Sequence, residues 1–206
     1  MKPSKVVAAA ASAVLTGWSG VSQAHIVGAR LGDFYAGVLH PLTDLQDIVL
    51  WIAVGLLAGS LGSARGRWLV LVVPAGLLAG LSFALSTGVS FVGTLASSVM
   101  MVIVGLLIAA GVRTNTVTLC AIAFGLAVMR GVANAGGVLP ETNRVLFAAG
   151  LIAAGYSAIT LIMALTVAFR GADAIGASSW RNIAIRACGS WIAAIGLMIG
   201  GLALAS

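Results

Sequence analysis

The sequence predicts an all-α, polytopic membrane protein, with about six transmembrane helices in a compact bundle. Three observations carry that expectation. Hydrophobic residues make up 61% of the 206 positions and charged ones only 8%, and the mean hydropathy is +1.14; a soluble domain carries roughly a quarter charged residues. The apolar residues fall in continuous runs of about 20, the length that crosses a bilayer as a helix. The arginines are scattered between those runs. In lipid every backbone group must be satisfied within the chain, which leaves helices or a closed barrel. A barrel would alternate apolar and polar residues, so the uninterrupted runs select helices.

The first 24 residues have the form of a secretory signal. Lys2 and Lys5 make a positive start, Val6 to Gly17 is a short apolar core, and Ser22-Gln23-Ala24 places small residues where signal peptidase reads them. The apolar core is short for a span. The expected organisation is a cleavable signal peptide over 1–24 and a single membrane domain over 25–206. Cleavage after Ala24 makes His25 the mature N-terminus. Its α-amino and imidazole nitrogens together can chelate a transition metal; it can equally be an ordinary residue that follows the cut.

Six runs are expected to span, over 43–62, 68–87, 90–111, 115–132, 144–169 and 183–204. The run 144–169 is long enough to tilt or to extend past the membrane. With the mature N-terminus outside, the inner loops and the start of the last run hold Arg65, Arg67, Arg113, Arg170, Arg181 and Arg186, against Arg30, Arg130 and Arg144 outside. That bias satisfies the positive-inside rule. It predicts a protein of the bacterial inner membrane with a periplasmic N-terminus. The same scatter explains the pI of about 10.4 without nucleic acid. Cys120 and Cys188 lie inside apolar runs and form no ligand-spaced cluster. Gly55 and Gly59, Gly76 and Gly80, and Gly196 and Gly200 are small-xxx-small pairs, which let helix backbones approach closely in lipid. Pro74 should bend the second span.

The polar residues of interest cluster near the first span. Three of the five acidic residues lie between 33 and 47, with the only histidine besides His25. Asp33, His40, Asp44 and Asp47 project within roughly 60° of one another on a continuous helix. The apolar run from Ile48 is short, so the span must recruit residues near 43–47, drawing Asp44 and Asp47 into the edge of the membrane. An ionisable group there is used or neutralised. Two readings follow. In one, His40, Asp44 and Asp47 collect a cation at the outer mouth of the bundle, with Asp33, about 20 Å from Asp47 on a continuous helix, as a separate site on the route. Imidazole nitrogen suits nickel, cobalt, copper or zinc, and carboxylates add charge and oxygen ligands. In the other, Pro41 ends one helix and Thr43 or Asp44 caps the next, facing water. A second patch follows the fourth span: Arg130, Asn134, Glu141, Thr142, Asn143 and Arg144. Glu141 could face the first stripe. Arg130 would repel a cation or pair with one of the aspartates. A solvated loop is the other reading of this patch.

His40-Pro41-Leu42-Thr43, followed by Leu45 and an apolar helix running from Trp51 to Gly59, resembles the HupE/UreJ family, as does a signal peptide ending just before a histidine. The resemblance implies a small, mostly six-helix membrane protein of a family regarded as nickel or cobalt permeases that accompany hydrogenases and ureases. His40 carries over directly, and His25 matches a histidine often found at the mature start. The family pattern then continues to Gly-x-Asp-His, where this chain reads Asp44-Leu45-Gln46-Asp47. A second motif, His-Gly-x-x-His, matches Arg130-Gly131-Val132-Ala133-Asn134, so both of its histidines are replaced. Asp47 can still bind metal through oxygen; Arg130 has no acceptor and cannot.

The leading expectation is an inner-membrane permease for a transition-metal cation, nickel or cobalt, captured by His25, Asp33, His40, Asp44 and Asp47, with Asn134, Glu141 and Arg130 lining the path or supporting the ligands. The alternative is a non-transporting relative that binds or senses a ligand or assembles with a membrane complex. No resident cofactor is expected, only the divalent metal. The expected partners are the lipid bilayer and that ion, with room for a homo-oligomer or a membrane partner. An enzyme is not expected: no Ser or Cys is visibly placed beside a histidine to act as nucleophile.

Overall fold

The structure, a computed structural model, describes residues 32–89, 92–112, 115–171 and 180–205. His25 and the signal-like segment lie outside these residues. All six apolar runs fold as helices, preceded by a short one. They are α1 (Asp33–Leu42), α2 (Leu45–Leu61), α3 (Ser63–Thr87), α4 (Thr94–Ala110), α5 (Thr116–Asn134), α6 (Arg144–Arg170) and α7 (Trp180–Ala205). A single 3-10 turn, Ala135–Gly137, extends α5. No strand occurs among the described residues. By length and composition α3, α5 with its 3-10 turn, α6 and α7 can each cross a membrane, and α1 with α2 forms a fifth, bent candidate. The third run, α4, is apolar but has only 17 residues, about 25 Å of helix.

The sequence explains why α1 and α2 are two helices. Pro41 sits in the last turn of α1. The Thr43 hydroxyl donates to the His40 carbonyl at 2.8 Å, closing that end. Asp44 then starts α2 as its N-cap, its carboxylate accepting the Gln46 N–H at 2.8 Å. The axis turns by 79° across this break. The expectation of one continuous polar stripe from Asp33 to Asp47 is therefore overturned: the angular spacing it used ends at Thr43. Pro74, by contrast, is accommodated inside an unbroken α3.

The packing is organised around α2, which lies against α6, α4 and α3. Two close pairs flank it, α3 with α5 and α4 with α7, and α1 lies on the start of α6. The glycine pairs sit at these crossings. Gly55 and Gly59 face Ile162, Met163 and Thr166 of α6; Gly76 and Gly80 face Phe124, Ala127 and Val128 of α5; Gly196 and Gly200 face Ser98 and Met101 of α4. A Cβ on five of the six would run into a neighbouring helix, and at Gly200 it would press on Ser98. Large apolar side chains such as Trp191, Leu197, Met198 and Leu202 are exposed on α7. That surface belongs in lipid, since exposed apolar patches of this extent are rare on soluble monomers.

The N-cap of α6 gives a contained test of helix-end chemistry. Asn143 accepts the N–H groups of Val145 and Leu146 at 3.1 and 3.2 Å. Asn143→Ala is expected to cost about 1 kcal/mol, read as a drop of a few degrees in the thermal midpoint of purified protein.

Candidate functional site

At one end of the bundle the starts of α2 and α4 meet the last turns of α5. Arg130, on α5, is the centre of this meeting. Its side chain is 5% exposed, that of Asp47 is 1% exposed and that of Asp44 41%. The guanidinium Nε donates to Asp47 Oδ1 at 2.7 Å, and Nη2 donates to Asp44 Oδ2. Nη1 donates to Ser97 Oγ at 3.2 Å and to Gln46 Oε1 at 3.3 Å. Asn134, one turn further along α5, donates through Nδ2 to Asp47 Oδ2 at 2.9 Å and to the Arg130 carbonyl at 2.8 Å. Both carboxylate oxygens of Asp47 thus accept hydrogen bonds, and every nitrogen of the guanidinium donates at least one.

Local geometry accounts for the convergence. Asp44 and Asp47 are three residues apart at the start of α2, so both carboxylates face α5. Arg130 and Asn134 are an i,i+4 pair, stacked on the face of α5 turned to α2. Gly131 lets this part of α5 close on α3, where a Cβ would strike the backbone of Leu77 to Leu81. Beneath Arg130 the packing is apolar: Leu50, Trp51, Val54, Val73, Leu77, Ala123, Leu126 and Ala127 surround a void of about 20 Å³.

The other expected residues fall elsewhere. Asp33 begins α1, and its Oδ2 accepts the Asn143 N–H at 2.8 Å, so it anchors the turn before α6. His40 is half-buried on α1, its ring centroid 5.9 Å from that of Phe147 on α6. The bare backbone of Gly137 makes room for that ring, because a Cβ there would overlap it. Glu141 is exposed in the turn between the 3-10 turn and α6. Among the described residues, no three or more His, Cys, Asp or Glu side chains are grouped so that they could hold a metal ion. Asp44 and Asp47 face a guanidinium where the metal reading needs an open coordination site. Asp33→Ala is expected to cost about 1 kcal/mol, the worth of one hydrogen bond, and to leave the Arg130 cluster intact in a thermal and spectroscopic comparison.

Two participants were not singled out from the sequence. Gln46 lies between the two aspartates, and Ser97 lies in the third apolar run. The available signal for Ser97 was its burial among apolar neighbours, where a hydroxyl needs a partner.

Comparison with known proteins bears on this cluster. No curated protein and no solved structure matches the chain. The family model described as HupE / UreJ protein matches residues 13–199, which takes in α1 to α6 whole and all of α7 but its last six residues. Asp47, Arg130 and Asn134, the residues that the resemblance sets against motif histidines, meet in the cluster. The chain belongs to the HupE/UreJ family of membrane proteins.

Proposed function

We propose that this chain is a member of the HupE/UreJ family that does not capture or carry nickel or cobalt at this site, and that its own arginine occupies the place a metal ion would take. The observation that carries the reading is the contact of one buried guanidinium with both Asp44 and Asp47. Capturing a divalent ion there means expelling Arg130 from its partners. Leaving a buried charge without its partner costs about 3–5 kcal/mol. Retaining Arg130 beside the ion instead places three positive charges against two negative ones. The role that remains is the alternative already drawn from the sequence: sensing a ligand, or assembling with another complex in the inner membrane, with the Arg130 cluster closing the outer end.

A permease for nickel or cobalt is the second reading. The family favours it, as does the meeting of its motif positions in one buried place at a helix junction. Uptake of radioactive nickel and cobalt separates the two. Cells expressing the chain should accumulate no more metal than cells carrying the empty vector. Accumulation that disappears in Asp47→Asn at matched expression would overturn the proposal in favour of the permease. A gain of binding tests the same chemistry. The triple variant Asp47→His, Arg130→His, Asn134→His, which puts imidazoles at the three converging positions, should bind nickel in calorimetry while the parent chain does not.

A further inference from the structure

The opposite end of the bundle holds a cavity of about 230 Å³ between the ends of α2, α4 and α6 and the first turns of α7. Its chemistry is two-sided. Leu61, Leu107, Ile108 and Ile185 form an apolar wall, and Arg170, Asn182 and Arg186 supply the polar part. The space equals that of several waters at roughly 30 Å³ each, enough for a phosphate-sized anion.

The two arginines have different duties. Arg170 is built into the frame: Nη1 donates to the carbonyls of Ser60 at 2.6 Å and Gly59 at 3.3 Å, and Nε donates to Asn182 Oδ1 at 3.1 Å. It caps the end of α2. Arg186 uses Nε for the Ala109 carbonyl at 2.7 Å near the end of α4. Its stem passes beside Gly111, the left-handed residue that ends α4. Its two terminal nitrogens have no hydrogen-bond partner among the described residues, and the side chain is exposed at the rim. Among the described residues the cavity is lined by no Asp or Glu. The carbonyl ends of α2 and α4 oppose an anion, each with about half a negative charge. Two guanidinium groups outweigh them by about one positive charge.

We infer that this cavity is a binding site for the phosphate of an anionic phospholipid, held by Arg186 at the rim with the start of its acyl chains against the apolar wall. The apolar wall favours a lipid over free phosphate, and basic pockets between membrane helices are a recognised setting for such headgroups. The loop arginines place this end on the cytoplasmic side, where anionic headgroups also attract basic residues. The site lies across the bundle from Arg130 and does not depend on whether metal is transported.

The test is native mass spectrometry of the full chain released from nanodiscs of equimolar phosphatidylglycerol and phosphatidylcholine. The parent chain should retain phosphatidylglycerol preferentially. Arg186→Gln, which removes the charge and leaves Arg170 in place, should lower that preference about fivefold. Arg186→Lys should restore much of it, and Arg144→Gln, at the other end, should leave it unchanged. An Arg186→Gln preference equal to that of the parent overturns the inference. So does full displacement of the lipid by millimolar inorganic phosphate, which would make the site one for a soluble anion. If Arg186→Gln does not fold, the parent and Arg186→Lys chains decide: absence of any phosphatidylglycerol preference in both rejects the site.

Discussion

Arg130→Gln should be the most damaging single substitution of a polar residue in this chain. It leaves Asp47, with its side chain 1% exposed, as a buried carboxylate that has lost its charge partner. The expected loss is about 3–5 kcal/mol, seen as a fall on the order of 10 °C in the thermal midpoint of detergent-purified protein. The sharper measurement is the compensated variant. Arg130→Met combined with Asp47→Leu and Asp44→Asn removes the charges together and should recover most of the loss, because well-packed apolar replacements of buried ion pairs are often neutral or stabilising. A triple variant as unstable as Arg130→Gln would show that the cluster matters through something other than charge balance. Added nickel or cobalt should not shift the midpoint of the parent chain, since a ligand stabilises only what it binds.

The second large effect is steric. Gly80 lies in α3 directly against the backbone of Val128 in α5, and a Cβ there would overlap the Val128 carbonyl. Backbone cannot rotate aside as a flexible side chain can. Overpacking costs about 1–3 kcal/mol where side chains can adjust, and occasionally more; here the two helices themselves must separate. Gly80→Leu is expected to abolish accumulation of folded protein. Gly80→Ala should lower the thermal midpoint and also disturb the Arg130 cluster, because Arg130 is two residues beyond Val128 on the same helix. Gly125→Ala is the matched control. It lies on α5, the facing helix, with nothing within 4 Å of its would-be Cβ, so it should be neutral or stabilising by about 0.5–1 kcal/mol. Equal behaviour of Gly80→Ala and Gly125→Ala would contradict the packing described for α3 and α5.

The helices were legible because lipid makes a simple demand: a long apolar run with no room for an unpaired backbone group. The run expected over 144–169 is α6, Arg144–Arg170, and the one over 183–204 is α7, Trp180–Ala205. The first span was less legible, since Asp33, His40, Asp44 and Asp47 have the angular spacing of one helix while Pro41 and Asp44 signal a break. Local capping won, and the 79° turn separates residues that a helical wheel would join. The cluster was least legible of all. Asp47 and Arg130 are 83 positions apart, and no local pattern gives the register of one helix against another. What the sequence did carry was the requirement that an ionisable group in a span find a partner. Of the two roles the sequence leaves Arg130, repelling a cation or pairing with an aspartate, the structure shows the second, with both Asp44 and Asp47.

The elbow at Thr43 also sets how the protein fits its solvent. Because the chain turns aside there, α2 crosses with 17 residues, and α4 beside it also has 17; each is about 25 Å long against a hydrocarbon layer of about 30 Å. Against them lie longer partners: α6, packed on α2, and α7, packed on α4, run for 27 and 26 residues, about 40 Å. Short and long helices therefore sit side by side, and the long ones must tilt or stand beyond the level at which α2 and α4 stop.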